Sequence, residues 1–275
     1  MPLPPVLTLE MTDDGPVRRQ EAARLPDASA RLPPGAYTTL RTYDGRGIVR
    51  FEAHLCRLEE SAALQWPGAT VDHQAARRLV GAALDRTRHP ESRLRLTFAP
   101  PRLFVSVEAF VPLPGSRYAD GVACVTLPGL HRDQPHVKDT RFIPVARRAY
   151  GELPDGIEEG LLVADDGSLL EGLSSNFFAV LDGVLCTEGE RVLPGITRAL
   201  VTEVAESQGY SIRHAVSRGE LPRVGEAFLT SVSREVLPIV KIDGDPVGDG
   251  GVGRHARAIM QGFAELIRRE TEIFG

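Results

Sequence analysis

The sequence predicts an α+β fold built from two domains. Three observations carry that prediction. β-forming runs alternate in pairs around short turns, apolar residues fall at helical spacing in separate segments, and a Pro/Gly-rich stretch at 111–116 (VPLPGS) interrupts both patterns. A chain of 275 residues suits two modest domains, each with a core of its own. The expected division is a smaller first domain over 1–113, a linker over 114–120, and a larger β-rich second domain over 121–275.

Residues 1–30 are polar and proline-containing, with one short strand at 6–11. GAYTTLRTY at 35–43 alternates β-formers, DGRG supplies a turn, and the strand pattern resumes at 48–51, which reads as a hairpin. Leu55, Leu58 and Ala62 mark a helix over 54–64, and Ala75, Leu79, Val80, Ala83 and Leu84 mark another over 72–86. Runs at 93–98 and 103–110 flank APPR as a second hairpin. Beyond the linker the pattern gives a strand at 121–127, a polar loop around Lys138 and a helix at 144–150. Strands follow at 160–164, 168–171, 176–181 and 184–187, with DDG and LDG as turns. Ile196, Leu200 and Val204 set a helix over 196–207 that closes at Gly209. Strands at 227–231 and 236–242, the latter with DGD as a hairpin turn, lead to a last helix over 253–269.

Composition narrows the function. A net charge of −5 argues against a nucleic-acid binder. No apolar run approaches the length of a membrane span, and MPLPPVLTLEMTDDG lacks the basic-then-apolar order of a signal peptide. Cys56, Cys124 and Cys186 are scattered without a CxxC pair, so a reducing cytoplasm is the expected location. The histidines form no HxxH or HxxxH pair, and no metal site is expected. Neither GxSxG nor an early GxGxxG is present.

Of 32 basic residues, only Lys138 and Lys241 are lysines. Arginine stays protonated and cannot act as a free amine, so imine chemistry has two candidates. Lys138 lies in HVKDT, between a strand and a helix; Lys241 lies beside an exposed hairpin turn and reads as structural. Glu171 ends a strand in LEGLSSN and is followed by the short polar groups Ser174, Ser175 and Asn176. PGITR at 194–198 opens a helix whose first N–H groups, at Ile196 and Thr197, form an anion seat. An amine, an acid and a phosphate seat together suit pyridoxal 5'-phosphate.

The order FEAHLCRL (51–58), HVKDT (136–140), LEGLSSNFF (170–178) and LPGITR (193–198) resembles the class-IV aminotransferases, the fold-type IV pyridoxal-phosphate enzymes. The resemblance runs from about Tyr37 to Asp243. It implies that Lys138 carries the cofactor and shuttles the proton, that Glu171 bonds the pyridine nitrogen, and that Arg57, Ile196 and Thr197 bind the phosphate. It places Val232 and Ser233 near the phosphate and the substrate carboxylate, and Tyr37 where some members shape the pocket. It also implies a homodimer that moves an amino group between an amino acid and a 2-oxo acid.

The sequence departs from the family where the family reads its substrate. KDTRF puts Arg141 where other members have Asn, TSVSREV lacks the threonine pair, and LTFAPPRLF lacks Arg-Gly. Arg41, Arg95, Arg102 and Arg141 are the candidates for the substrate carboxylate. An aminodeoxychorismate lyase and a pyridoxal-phosphate binder without turnover are the alternatives on the same frame.

Overall fold

The computed structural model describes residues 5–274. The chain forms two compact units. One takes the chain up to Val111 together with Val137–Ile143 and the chain from Glu270 onward; the other takes Pro112–His136 and Pro144–Arg269.

The first unit contains β1 (Val6–Thr12), β2 (Gly15–Ala22), α1 (Leu25–Ser29), β3 (Ala36–Arg41), β4 (Gly47–Val49), α2 (Phe51–Ala63), α3 (His73–Thr87), β5 (Ser92–Ala99) and β6 (Arg102–Ala109). Five strands form an antiparallel sheet in the order β2-β1-β6-β5-β3. Its register separates two faces. Leu7, Leu9, Val105, Val107, Leu94, Leu96, Phe98 and Leu40 pack against Phe51, Leu55 and Leu58 of α2 and Leu79, Val80 and Ala83 of α3. Side chains alternate along a strand, so Glu10, Ser106, Arg93, Arg95, Thr97, Tyr37, Thr39 and Arg41 share the opposite face. Truncating one of these core leucines to alanine costs about 2–5 kcal/mol. Asp72 caps α3 by accepting the N–H of Ala75 at 2.9 Å.

Two expectations change here. The hairpin expected over 35–51 does not form, because β3 pairs with β5 while β4 pairs with the strand Thr271–Ile273. The DGRG turn does exist, held by paired hydrogen bonds between Tyr43 and Gly47. Arg50, with φ of 51°, turns the chain directly into α2. The N-terminal stretch also carries an extra strand, β2, and a short helix, α1. GPVRRQEA is largely polar because β2 is the sheet edge, where only one side of the strand is paired.

The lysine segment belongs to this unit because its backbone lies along the other sheet edge. Tyr37 N–H donates to the Lys138 carbonyl at 2.8 Å, and Thr140 N–H donates to the Gly35 carbonyl at 3.0 Å. The Thr140 hydroxyl accepts the Gly35 N–H at 3.0 Å.

The second unit opens with α4 (Gly115–Ala119), which occupies part of the stretch expected as a linker. It continues with β7 (Val122–Pro128), α5 (Phe142–Glu152), β8 (Ile157–Val163), β9 (Ser168–Gly172), β10 (Asn176–Leu181), β11 (Val184–Cys186), α6 (Ile196–Ser207), β12 (Ile212–Arg213), β13 (Val216–Ser217), β14 (Val224–Ser231), β15 (Glu235–Ile242), β16 (Asp245–Pro246) and α7 (Arg254–Glu270). The strands run β12-β11-β10-β14-β15-β7-β8-β9-β13. β9 also pairs with β10 through Glu171 and Asn176, so six strands close into a ring at that pair. Leu161, Val163, Leu169, Phe177, Ala179, Leu229, Leu237 and Ile239 form its core. α6 lies over β14, and Gly262 of α7 lets Val204 and Gln208 of α6 approach closely. Among the described residues, no helix is long and apolar enough to cross a membrane.

Candidate active site

In the first unit, Lys138 sits on the strand-like segment beside β3, with its own N–H donated to Ser61 Oγ at 3.2 Å. Its Nζ lies 4.9 Å from the centre of the Tyr37 ring. The Arg95 guanidinium lies 4.7 Å from the same centre. Both contacts are cation–π in geometry.

Arg95 differs from the other candidate arginines in its partners. Arg41 pairs with Glu91 at 3.0 Å, Arg102 with Glu10 at 2.7 Å, and Arg141 with Asp139 at 2.5 Å while also reaching Gln65. Arg95 donates to the Ser29 hydroxyl at 2.7 Å, and its Nε is sealed from solvent without a hydrogen-bond acceptor. Burial works against its charge and lowers its pKa. An anionic group is what this fork lacks.

Arg57 is held from behind. Its Nη2 donates to Thr38 Oγ1 at 2.8 Å, and Thr38 Oγ1 lies 2.8 Å from His54 Nδ1. Burial, then the charges of Arg57 and Lys138, hold the His54 pKa well below the ordinary histidine value. His54 is therefore neutral. The arrangement that satisfies all three groups has the Thr38 hydroxyl accepting from Arg57 and donating to Nδ1, with the ring proton on Nε2.

In the second unit, Glu171 is buried at the closing pair of the ring. Its Oε1 accepts from Arg132 Nε at 2.8 Å, and its Oε2 accepts from Asn176 Nδ2 and the Leu193 N–H, each at 3.3 Å. Asn176 Nδ2 also donates to the Leu193 carbonyl at 3.0 Å. This ties the strand-end acid to the stretch that opens α6. Gly195 is the N-cap of α6, and a Cβ there would run into Asn176 Oδ1. Any larger residue there would push the buried Asn176 side chain out of its place, so glycine lets the helix start sit close to it. The first N–H groups of α6, at Ile196 and Thr197, have no acceptor within the helix. Arg198 follows, donating to Thr187 Oγ1 at 3.3 Å.

Ser174 and Ser175 turn toward Glu159, at 3.4 and 2.9 Å. Val232 and Ser233 stand at the tip joining β14 to β15, both half-buried. Lys241 is exposed on β15. Among the described residues, no three His, Cys, Asp or Glu side chains gather as a metal site.

Sequence reasoning passed over Thr38, His54, Arg132, Glu159 and Arg234. Glu159 carried a weak signal, an acid next to the apolar run at 161–163 of β8. Thr38 carried none, since a threonine in a strand is ordinary.

The family model for amino-transferase class IV matches residues 35–242. The chain is 28% identical to the branched-chain-amino-acid aminotransferase of Escherichia coli K12, over 94% of this chain and 93% of that one. It is 26% identical to the D-alanine aminotransferase of Bacillus licheniformis, over 92% and 95%. Its fold matches a T.th. branched-chain amino acid aminotransferase, solved with pyridoxamine 5'-phosphate, at a TM-score of 0.80, 20% identity, and 99% and 100% coverage. The family that these relatives share works through pyridoxal phosphate. With its lysine, acid and helix-start motifs inside the matched span, the chain belongs to the class-IV aminotransferases and is a transaminase.

Proposed function

We propose that the protein binds pyridoxal 5'-phosphate through Lys138 and moves an amino group between an amino acid and a 2-oxo acid whose carboxylate is held by Arg95. The observation that supports this reading is that the Lys138 amine and the Arg95 guanidinium lie 4.9 Å and 4.7 Å from the centre of the Tyr37 ring.

The donor set fits the cofactor. Within the first unit Arg57, and within the second the α6 N–H groups of Ile196 and Thr197, are each of a kind that suits a phosphate dianion, the role the family resemblance gives them. Glu171, fixed by three donors, suits a protonated ring nitrogen. Bound by these groups, pyridoxal phosphate would supply an aldehyde for the amino group and a ring that takes up electrons from the substrate α-carbon.

The protein's own groups do the rest. Arg95 holds the substrate carboxylate and so fixes which α-carbon bond faces the amine. Lys138 Nζ takes the proton from the substrate α-carbon and would deliver it to the C4' carbon of the bound cofactor, so that the amino group stays behind when the 2-oxo acid leaves. Glu171 would hold a proton at the ring nitrogen of the bound cofactor. Ser174, Ser175 and Asn176 support the turn behind Glu171, and Val232 and Ser233 would border the phosphate and the carboxylate, as the family resemblance implies. Arg141, spent on Asp139 at the surface, has no place in this reading. A homodimer, on the family resemblance, and a cytoplasmic location, on the scattered free cysteines, complete it.

The named relatives act on branched-chain amino acids or D-alanine, which favours transamination over elimination and leaves both stereochemistries to test. The test is borohydride reduction of the pyridoxal-phosphate-loaded protein, peptide mapping, and a screen of D- and L-donors. Label on the Lys138 peptide with amino transfer supports the reading; label on Lys241, or no transfer from any donor, overturns it.

A further inference from the structure

A charge cluster in the second unit lies outside these assignments. Glu159 of β8 has no solvent exposure. Its carboxylate accepts from Arg234 Nη1 and Ser175 Oγ, each at 2.9 Å, and from Ser174 Oγ at 3.4 Å. Arg234 occupies the three-residue tip between β14 and β15, directly after Val232 and Ser233. Its guanidinium also reaches Glu158 Oε1 at 3.2 Å, Ser174 Oγ at 3.1 Å and Tyr150 OH at 3.3 Å. Tyr150 OH and Ser174 Oγ are 2.6 Å apart. One side chain therefore ties the tip to α5, to β8 and to the turn that follows Glu171.

The cluster is built to stay charged on the arginine. Burial opposes the Arg234 charge, but Glu159, Tyr150 and Glu158 outweigh it and raise the pKa. Burial, then Glu159, raise that of the Tyr150 phenol. Such a pair adds little stability over an apolar pair of the same shape, so its physical consequence is geometry. Two features make geometry matter here. The tip holds itself by a 3.2 Å bond from Arg234 N–H to Ser231 Oγ, and Glu235 after it has φ of 54°. On the turn side, Gly172 lies so close over Glu159 that a Cβ would stand 2.7 Å from Glu159 Cγ. Moving Glu159 moves the Glu171 turn.

We propose that Arg234 is a positioning residue that locks the Val232–Ser233 tip against the Glu171–Asn176 turn and thereby sets how tightly the amino acid and 2-oxo acid are held. The proposal rests on the transaminase reading above, in which Val232 and Ser233 border the phosphate and the substrate carboxylate.

Arg234→Met alone leaves Glu159 buried without its cation and is expected to fold poorly. The test therefore uses the charge-free pair Arg234→Met/Glu159→Leu, with Arg234→Lys beside it; Glu158 keeps its partner Arg117 in both. The double variant is expected to melt close to the wild type while amide hydrogen exchange at 231–235 speeds up about tenfold. Its KM for both substrates is expected to rise about tenfold with a smaller change in kcat, and Arg234→Lys to recover part of this. Wild-type exchange at the tip, or an unchanged KM in a folded double variant, overturns the proposal. Absence of any transaminase turnover in the wild type would sink the functional reading instead, and the exchange rates alone would then decide the lock.

Discussion

Lys138 and Arg95 share the ring of Tyr37, with Nζ 4.9 Å and the guanidinium carbon 4.7 Å from its centre. Register produces this. Tyr37 pairs with Thr97 and Thr39 with Arg95, so Tyr37 and Arg95 fall on one face of β3 and β5. The same edge of β3 holds the Lys138 backbone.

In the proposed reading Lys138 is both the covalent anchor and the proton carrier, so Lys138→Ala is expected to lower turnover by about 10³-fold or more. Lys241→Ala, on an exposed strand position, should stay within about twofold of wild type. Steady-state kinetics of both variants check this, and equal losses would refute the assignment.

Arg95→Met should raise KM for the amino acid and the 2-oxo acid by about 10–100-fold, the effect of losing a charge-assisted bond to a carboxylate. Arg102→Met, whose native arginine is closed on Glu10, should leave KM close to wild type. A matching rise in both variants would mean that neither arginine is the specific carboxylate partner.

Thr38→Val removes the hydroxyl between Arg57 and His54. Its expected effect is a weakening of pyridoxal-phosphate binding by about tenfold, with little change for unphosphorylated pyridoxal. Absorbance titrations with the two aldehydes distinguish loss of the phosphate grip from general damage. Equal weakening for both would remove Arg57 from the phosphate.

The pH dependence of stability has a definite sign at His54. Its folded pKa lies well below the ordinary value near 6.5, so below that pH the unfolded chain takes up a proton that the folded chain refuses. Stability is fully present above about pH 6.5 and falls as pH drops, by up to about 1.4 kcal/mol per pH unit, until the folded pKa is reached. Urea denaturation of wild type and His54→Gln at pH 7 and 5.5 should show the steeper loss in the wild type. Parallel losses would mean that His54 is not the group responsible.

Gly195→Ala places a Cβ against Asn176 Oδ1 and should destabilise the protein by about 1–3 kcal/mol. It should also weaken cofactor binding, since the α6 start and the Asn176–Glu171 contact shift together. Thermal melting with and without pyridoxal phosphate reads both effects; an unchanged melting temperature in both would show that the approach is not tight.

Most elements were legible because their signals are local. α3 follows from Asp72 and its apolar stripe, and β5–β6 from two alternating runs around a proline turn. Lys138, Glu171 and Thr197 could be singled out by residue type and place in the chain, and their proposed roles came from the family resemblance. The hairpin expected over 35–51 fails because strand pairing is not local: β3 finds β5 and β4 finds 271–273, more than 200 residues away. β2 escaped because an edge strand need not carry an apolar stripe.

The sequence by itself determined the α+β class, the two available amines, and the motif order that makes the chain a class-IV aminotransferase. The class follows from periodicity and turn chemistry and the amines from residue type, which neighbouring residues decide; the family follows from the resemblance of the motif order and the family match over residues 35–242. Tertiary structure alone decided how charges pair. It closed Arg41 on Glu91 and Arg102 on Glu10 and left Arg95 on Tyr37 without a carboxylate. It also set Arg132 on Glu171 and Arg234 on Glu159. A charge's partner is fixed by strand register and burial, which bring together residues tens of positions apart, and no local pattern encodes that meeting.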